Sequence, residues 1–567
     1  MNVQERYTLW CTSPLVDEES KKELLALAGD QTEIEDRFYQ ELSFGTAGLR
    51  GILGPGDNRM NVYNVRKATE GLARYLTSLP GAEQKSVAIA YDSRRCSDVF
   101  ARETACVLAA HGIQVHLFST LHAVPQLSFT VRYLHCTAGV VITASHNPPK
   151  YNGYKVYWAH GGQVDPEQAE AITACIRQVP DFVTAYMPYE EALASGRITL
   201  IGREVDEAYY KATMSLLQDP EGLKQAGKDL VLVYTPLHGA GYVPVTTILS
   251  RMGLEHVYVV PEQALPDGNF PTVKAPNPED PNAFTLGMAL AEEKHADLIL
   301  ASDPDSDRLG VAVRRHDGGW SVLTGNQIAS ILLYSLLSER QRLGTLPRNG
   351  LVVRSIVSTR LSDAICAHFG VALKEVLTGF RFISQQIAQC EETGEHTFLF
   401  GFEESYGYLA GGFSRDKDAI CSAMLVAQAA IRYRQRGMTL YDALQELYAK
   451  FGFFGEGAKS YTLEGKVGLE KIAAAMEALR KAPPAALAGQ KVVQVLDYEN
   501  SAVTKLPPSN VLRLTLEDGD YAMVRPSGTE PKLKLYTGSK APTQEILKDK
   551  LSALEEAMEA LLFSLLQ

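Results

Sequence analysis

At 567 residues, with 46% hydrophobic and 22% charged side chains, the chain holds more apolar material than one core accommodates, and roughly three or four soluble domains are expected. Its formal net charge of −12 disfavours nonspecific binding to nucleic acid or to an anionic membrane, so an anionic ligand must meet a locally basic pocket. The eight cysteines show no zinc-spaced cluster, the N-terminal residues lack the apolar core of a signal peptide, and the longest apolar run, near 328–337, is too short to span a bilayer; reduced thiols and a cytoplasmic location are expected.

Residues 16–42 mix acidic and apolar positions at helical spacing. Phe44-Gly45-Thr46-Ala47-Gly48-Leu49-Arg50-Gly51 then reads either as a loop with exposed amides, in which Arg50 holds an oxyanion through its planar fork, or as a plain turn. A helix over 64–79, a strand over 86–91 ending in Asp92-Ser93-Arg94-Arg95, a helix over 98–111 and a strand over 114–118 set up an α/β alternation. The apolar run Gly139-Val140-Val141-Ile142 delivers Thr143-Ala144-Ser145-His146-Asn147-Pro148, followed by Tyr151-Asn152-Gly153-Tyr154-Lys155. Its β-branched residues favour a buried strand, and Asn147, the proline pair and Asn152-Gly153 end it. Ser145 thus sits at a strand tip, where a serine taken alone is ordinarily a turn residue.

A helical segment near 206–217 leads to Gly222-Leu223-Lys224-Gln225-Ala226-Gly227-Lys228-Asp229, which misses a nucleotide-binding P-loop: Asp229 replaces the hydroxyl residue, and the segment precedes its strand at 229–234. Pro236-Leu237-His238-Gly239 ends that strand, and a helix over 244–252 and a strand over 256–260 continue the alternation. The next apolar strand, 296–300, delivers Asp303-Pro304-Asp305-Ser306-Asp307-Arg308. Three alternating carboxylates suit a hard cation such as magnesium. An EF-hand is excluded because Arg308 and Arg314 stand where glycine and glutamate are needed, and an ion-free turn would leave three like charges repelling one another.

After helices near 327–343 and 358–369 and a strand over 351–357, the strand at 396–400 runs into Gly401-Phe402-Glu403-Glu404-Ser405-Tyr406-Gly407. Paired glutamates would repel phosphate; they suit sugar hydroxyls, with Ser405 adding one more bond, and an exposed acidic turn is the alternative. Beyond about 450 the pattern changes, at 452–457 and at the Ala/Pro-rich 482–488, read as a boundary or a long surface loop. Strands over 492–496, 511–516 and 521–524 bring Arg525-Pro526-Ser527-Gly528-Thr529-Glu530-Pro531-Lys532, in which arginine, two hydroxyls, glycine-exposed amides and lysine form a phosphate cradle. The amphipathic helix over 544–565 is expected to pack against the protein and not on a membrane.

Three loops, at Ser145, Asp303 and Glu403, share one scheme of apolar strand followed by polar loop, and ligand sites in α/β sheets gather at the carboxyl ends of strands. A serine nucleophile, a hard-metal loop, a sugar loop and a phosphate cradle together describe phosphoryl transfer on a sugar phosphate. Over nearly the whole chain these ordered motifs resemble those of the α-D-phosphohexomutases: 143–148 the phosphoserine loop, 303–308 the magnesium loop, 401–407 the sugar loop and 525–532 the phosphate loop. Residues 44–51 and the Glu-Glu-Ser sequence are most similar to the phosphoglucomutase branch, which includes phosphopentomutases and glucose-1,6-bisphosphate synthase.

The resemblance implies three related α/β sheet domains plus a smaller α+β C-terminal domain around a central cleft, with spans expected at 1–205, 206–322, 323–455 and 456–567. It implies a phosphoryl group on Ser145 whose oxygen joins Asp303, Asp305 and Asp307 around Mg²⁺, with Arg525, Ser527, Gly528, Thr529 and Lys532 holding the substrate phosphate. Glu403 and Ser405 would meet ring hydroxyls, and Arg50, Arg308 and Arg381 would be further substrate contacts. The implied reaction interconverts α-D-glucose 1-phosphate and glucose 6-phosphate through glucose 1,6-bisphosphate; phosphopentomutase, glucose-1,6-bisphosphate synthase and phosphomannomutase are the alternatives. Sugar phosphates are the expected partners, with neither nucleic acid nor membrane among them.

Proton transfer falls by the same resemblance to His146, Lys155 or residue 381. Here the chain departs from the family pattern, since Thr378-Gly379-Phe380-Arg381 has arginine where lysine is expected. Arginine keeps its proton, so Arg381 is expected to hold phosphate instead. Ser306 also replaces a commoner alanine or glycine, without expected effect on the flanking acids.

Overall fold

The computed structural model of the chain describes residues 1–45, 48–81, 85–463, 465–527 and 532–566. Two compact units result, one of Met1–Gly325, Ser384–Gly394 and Ser405–Gly437, the other of Asn326–Ile383, Glu395–Glu404 and Met438–Gln567.

In the first unit, the helices Val3–Thr12, Glu18–Ala26 and Gln31–Phe38 start at the side-chain caps Asn2, Asp17 and Asp30. Their apolar faces close on an aromatic cluster of Tyr7, Trp10, Phe38 and Tyr63. The adjoining sheet runs, in spatial order, Gly48–Ile52, Tyr151–Trp158, Ala138–Ile142, Ser86–Tyr91, Gln114–Phe118 and Ile198–Ile201. Ser86–Tyr91 pairs in parallel with the strands on both its sides, and the helices Val62–Ser78 and Ser97–Ala110 supply Leu72, Leu76, Phe100 and Leu108 to the same core as Ile89, Val140 and Ile142. A parallel strand covered on both faces must be apolar throughout, which is why Ala138–Ile142 reads as a continuous run.

Gly48–Ile52 departs from the expected loop. It is a strand antiparallel to Tyr151–Trp158, with Gly48 opposite Lys155 and Arg50 opposite Gly153. A Cβ on Gly48 would lie 1.8 Å from Tyr154 O, so the glycine admits the neighbouring strand.

The second sheet of this unit places Trp320–Val322, Leu309–Arg314, Leu298–Ser302, Val231–Thr235 and His256–Val259 side by side. Leu298–Ser302 is buried along its whole length and ends directly before Asp303. The P-loop-like segment forms the helix Pro220–Ala226, ahead of its strand, as its rejection required.

In the second unit, Gly350–Ser355 lies between Ala372–Val376 and Thr397–Glu403, parallel to both. The C-terminal sheet is antiparallel, in the order Phe453–Thr462, Lys532–Ala541, Tyr521–Pro526, Leu512–Leu516, Gln490–Asp497 and Ala486–Leu487. The helices Gly465–Lys481 and Gln544–Leu566 cover it with Met476, Leu479, Leu554, Met558 and Leu562. The Ala/Pro-rich segment turns from helix into the edge of this sheet, where Ala486 pairs with Lys491, and so lies inside a domain. The glycines near 455 belong to the strand Phe453–Thr462, which runs across the expected 455/456 border. A Cβ on Gly455 would come within 2.9 Å of Leu551 Cδ1, so this glycine makes room for the C-terminal helix. Among the described residues no helix is long and apolar enough to cross a membrane, and all eight cysteines are free thiols.

Candidate active site

Ser145 leaves the tip of Ala138–Ile142 in the left-handed region, at φ 50°. Thr143 sets this turn: its Oγ1 accepts from Ser145 N at 2.8 Å and donates its one proton to Asp92 Oδ2 at 2.7 Å, with Asp305 Oδ2 also within reach at 3.1 Å. A non-glycine residue in this conformation costs on the order of 1 kcal/mol and persists only where its surroundings impose it. The metal loop has the same trait, with Ser306 at φ 52° and its N–H bonded to Asp303 O at 2.9 Å. A glycine at this position would relieve the strain, whereas an alanine would not.

The two loops meet. Ser145 Oγ donates to Asp303 Oδ2 at 2.6 Å and lies 3.2 Å from His146 Nδ1. One carboxylate oxygen from each of Asp303, Asp305 and Asp307 falls within a single 4.8 Å group, and all three side chains are buried. Among the described residues, Asp305 Oδ1 and Asp307 Oδ1 are buried with no hydrogen-bond partner. Orphaned acceptors crowded out of water fit a hard divalent cation, and the all-oxygen donor set fits magnesium. Burial, and then the charges of Asp305 and Asp307, push the Asp303 carboxyl well above its ordinary range. Burial would raise Asp305 too, but Lys155, 3.1 Å away, and the Asp303 bond bring it down to about 2. Burial, helped by the cations Arg308 and Arg50, pushes His146 down to about 2, leaving a neutral ring.

Arg308 ion-pairs with Glu279 and lies 3.8 Å from Asp307. Arg50 is exposed on its strand, with Nη1 3.4 Å from Asn147 Oδ1. Tyr406, next to Ser405, accepts Leu309 N through its carbonyl at 3.0 Å.

Two residues escape a reading of the sequence. Arg94 fans its guanidinium into the carbonyls of Ser145, Asn147, Pro148 and Tyr151, with Nη1 at 3.1 and 3.0 Å from the last two. Lys417 reaches Asp307 at 3.2 Å and Asp416 at 3.1 Å. Arg94 shows in the sequence only as a charge at a strand tip. Lys417 lies in Arg415-Asp416-Lys417-Asp418, which resembles a solvated turn until burial is known, all four being at most 8% exposed.

In the second unit, Glu403 ends the strand Thr397–Glu403 and its Oε1 accepts Gly379 N at 2.6 Å, two residues before Arg381 on the helix Phe380–Thr393. Glu404 Oε2 accepts Ser355 Oγ at 3.1 Å; burial and the neighbouring Glu403 charge push Glu404 up to about 7. Arg525 stands opposite Lys534 in the C-terminal sheet, and Ser527 N donates to Lys532 O at 2.7 Å, closing the neck of the expected phosphate loop. Gly528 and Thr529 lie outside the described residues.

Four family profiles match the chain: alpha/beta/alpha domains I, II and III of phosphoglucomutase/phosphomannomutase at residues 41–181, 208–318 and 324–451, and the C-terminal domain at 443–552. A phosphoglucomutase of Staphylococcus aureus (strain USA300) is 38% identical over 537 residues, covering 92% of this chain and 94% of its own length. Among solved structures, the open form of parafusin, a phosphoglucomutase from Paramecium, superposes with a TM-score of 0.70 at 18% identity, over 93% of this chain and 95% of that one. A phosphoglucomutase/phosphomannomutase family protein from Burkholderia thailandensis gives a TM-score of 0.66 at 18% identity, over 91% and 97%. The chain therefore belongs to the phosphoglucomutase/phosphomannomutase family, isomerases that move a phosphoryl group on a sugar phosphate.

Proposed function

We propose that the chain is a phosphoglucomutase of the cytoplasm, interconverting α-D-glucose 1-phosphate and glucose 6-phosphate through a phosphoserine at Ser145 and glucose 1,6-bisphosphate. The observation that carries this reading is the 2.6 Å bond from Ser145 Oγ into the buried triad of Asp303, Asp305 and Asp307. The 38% identity to a phosphoglucomutase supports glucose as the sugar.

Asp303, Asp305 and Asp307 are the residues to hold Mg²⁺, which when bound supplies positive charge to the transferring phosphoryl group. The substrate's own phosphate rests on Arg525, Ser527, Gly528, Thr529 and Lys532, with Arg50, Arg308 and Arg381 as further cations, and Glu403 and Ser405 accept ring hydroxyls. In the forward half, a sugar hydroxyl oxygen forms a bond to the phosphorus as the Ser145 O–P bond breaks. The hydroxyl proton is taken up by His146 or Lys155, the two candidates beside the serine, with Lys155 paired to Asp305. The bisphosphate turns over, its other phosphate returns to Ser145, and the proton is given back. The expected domains, 1–205, 206–322, 323–455 and 456–567, then carry the serine, metal, sugar and phosphate loops in that order.

Intact-mass and peptide mass spectrometry test the intermediate: phosphate is expected on Ser145 alone. A rate panel of glucose, mannose, glucosamine, ribose and deoxyribose 1-phosphates, each with and without added bisphosphate, tests the substrate. Glucose 1-phosphate is expected to turn over fastest and only with bisphosphate priming; a faster pentose or mannose phosphate would replace the glucose assignment.

A further inference from the structure

Arg94, whose guanidinium gathers the loop that carries Ser145, is itself held from a second direction. Its Nη1 and Nη2 donate to the carbonyls of Ser145, Asn147, Pro148 and Tyr151, and its Nε lies 3.4 Å from Asp92 Oδ2, so the edge of the planar fork is filled. The flat face remains. Phe270 covers it, with the guanidinium carbon 5.0 Å from the ring centroid. Both side chains are buried, the setting in which a cation over a ring is attracted most strongly.

Arg94 and Ser145 follow strands of the first sheet, whereas Phe270 lies in the chain between His256–Val259 and Leu298–Ser302, strands of the sheet that carries the metal loop. Its loop is pressed onto Arg94 backbone to backbone. A Cβ on Gly268 would lie 2.5 Å from Arg95 N and 2.8 Å from Ser93 O, so only a glycine admits this approach. Asp267 N donates to His238 O at 3.3 Å, which ties the loop to the end of Val231–Thr235, and Phe270 N donates to Asp267 O at 3.1 Å. Within this turn Phe270 sits at φ 47°, an outlier for a bulky aromatic residue. Such a conformation persists only where its surroundings impose it, and here it accompanies a ring laid on Arg94.

We propose that Phe270 is a positioning residue for phosphoryl transfer: by covering the face of the Arg94 guanidinium it keeps the fork aimed at the four carbonyls, and so fixes the loop from which Ser145 reacts. Phe270 acts on Ser145 through Arg94, and its role in turnover rests on the reading of Ser145 as the phosphoryl carrier.

Two measurements on the full-length protein separate this role from plain packing. In hydrogen exchange read by mass spectrometry, Phe270→Leu, which stays apolar but removes the ring face, is expected to raise exchange over residues 143–151 by about fivefold or more, and Phe270→Tyr to restore protection. In turnover, Phe270→Leu is expected to lower kcat about tenfold while KM stays within about twofold of wild type. Added to Arg94→Lys it is expected to cost little more, because both changes undo the same clamp. Gly268→Ala keeps the ring but pushes its loop off the Arg94 turn; it is expected to show the same two effects, and decides the matter should Phe270→Leu fold poorly. Wild-type exchange over 143–151, an unchanged kcat, or losses that add fully in the double variant would overturn the proposal. A wild-type enzyme with no phosphate on Ser145 would instead end the phosphoserine reading, and the exchange measurement would still decide whether Phe270 holds the loop.

Discussion

Ser145 Oγ and Asp303 Oδ2 are hydrogen-bonded at 2.6 Å although the residues stand 158 positions apart in the chain. A serine held on a metal-binding carboxylate has few structural reasons to be there, because its hydroxyl adds one bond to an acid that the backbone N–H groups of Asp307 and Arg308 already serve. Ser145→Ala is expected to keep the fold and to lose at least about a thousandfold in kcat. Near-normal turnover by a clean Ser145→Ala protein would end the phosphoserine mechanism.

The triad gives a metal prediction. Asp305→Asn removes a buried charge and one ligand, and is expected to weaken Mn²⁺ binding, read by electron paramagnetic resonance, by about tenfold or more. Chelation of the wild-type enzyme is expected to abolish activity, and added Mg²⁺ to restore it. Full activity after exhaustive chelation would contradict the assignment.

Arg94 fixes the shape of the loop that carries Ser145, donating to four of its carbonyls from a fully buried side chain. A lysine keeps the charge but not the fork. Arg94→Lys is therefore expected to cost about ten- to a hundredfold in kcat and to lower the melting temperature. An unchanged kcat would show that the loop holds its shape without the clamp.

Arg381, stacked on Phe382 with 4.8 Å to the ring centroid, separates two roles for its position. If it holds phosphate, Arg381→Gln raises KM by about tenfold with little change in kcat, and Arg381→Lys leaves the pH-rate profile in place. A profile that moves in Arg381→Lys would mean that this position takes part in proton transfer.

Asp418 caps the helix Ala419–Gln435, accepting Cys421 N at 2.8 Å and Tyr209 OH at 2.8 and 2.7 Å. Burial outweighs these bonds and pushes its carboxyl up to about 6. The unfolded value lies near 4, so the folded state holds the extra proton between the two. Stability from this group is present below about pH 4 and lost as pH rises to about 6, by about 3 kcal/mol. Asp418→Asn, which keeps a capping residue, is expected to flatten that part of the profile. The urea midpoints of variant and wild type should therefore diverge across this window and run parallel above pH 7. Parallel midpoints throughout would contradict the shift.

Sequence pattern determined much of this protein. Continuous apolar runs mark Ala138–Ile142 and Leu298–Ser302 because a strand buried on both faces has no room for polar residues, and the polar residues next in the chain are forced out at its carboxyl end. That local rule was enough to single out Ser145 and the three aspartates. It misread residues 48–52, where glycines that permit close strand pairing look the same in sequence as glycines that expose amides. Only the tertiary structure decided which charges are buried together. Arg94, Lys417 and Thr143 owe their roles to partners at Ser145, Asp307 and Asp305, brought near by separate strands and loops. A lone charge in sequence carries no sign of its counter-charge, because pairing across a fold depends on distance in space and leaves no period along the chain.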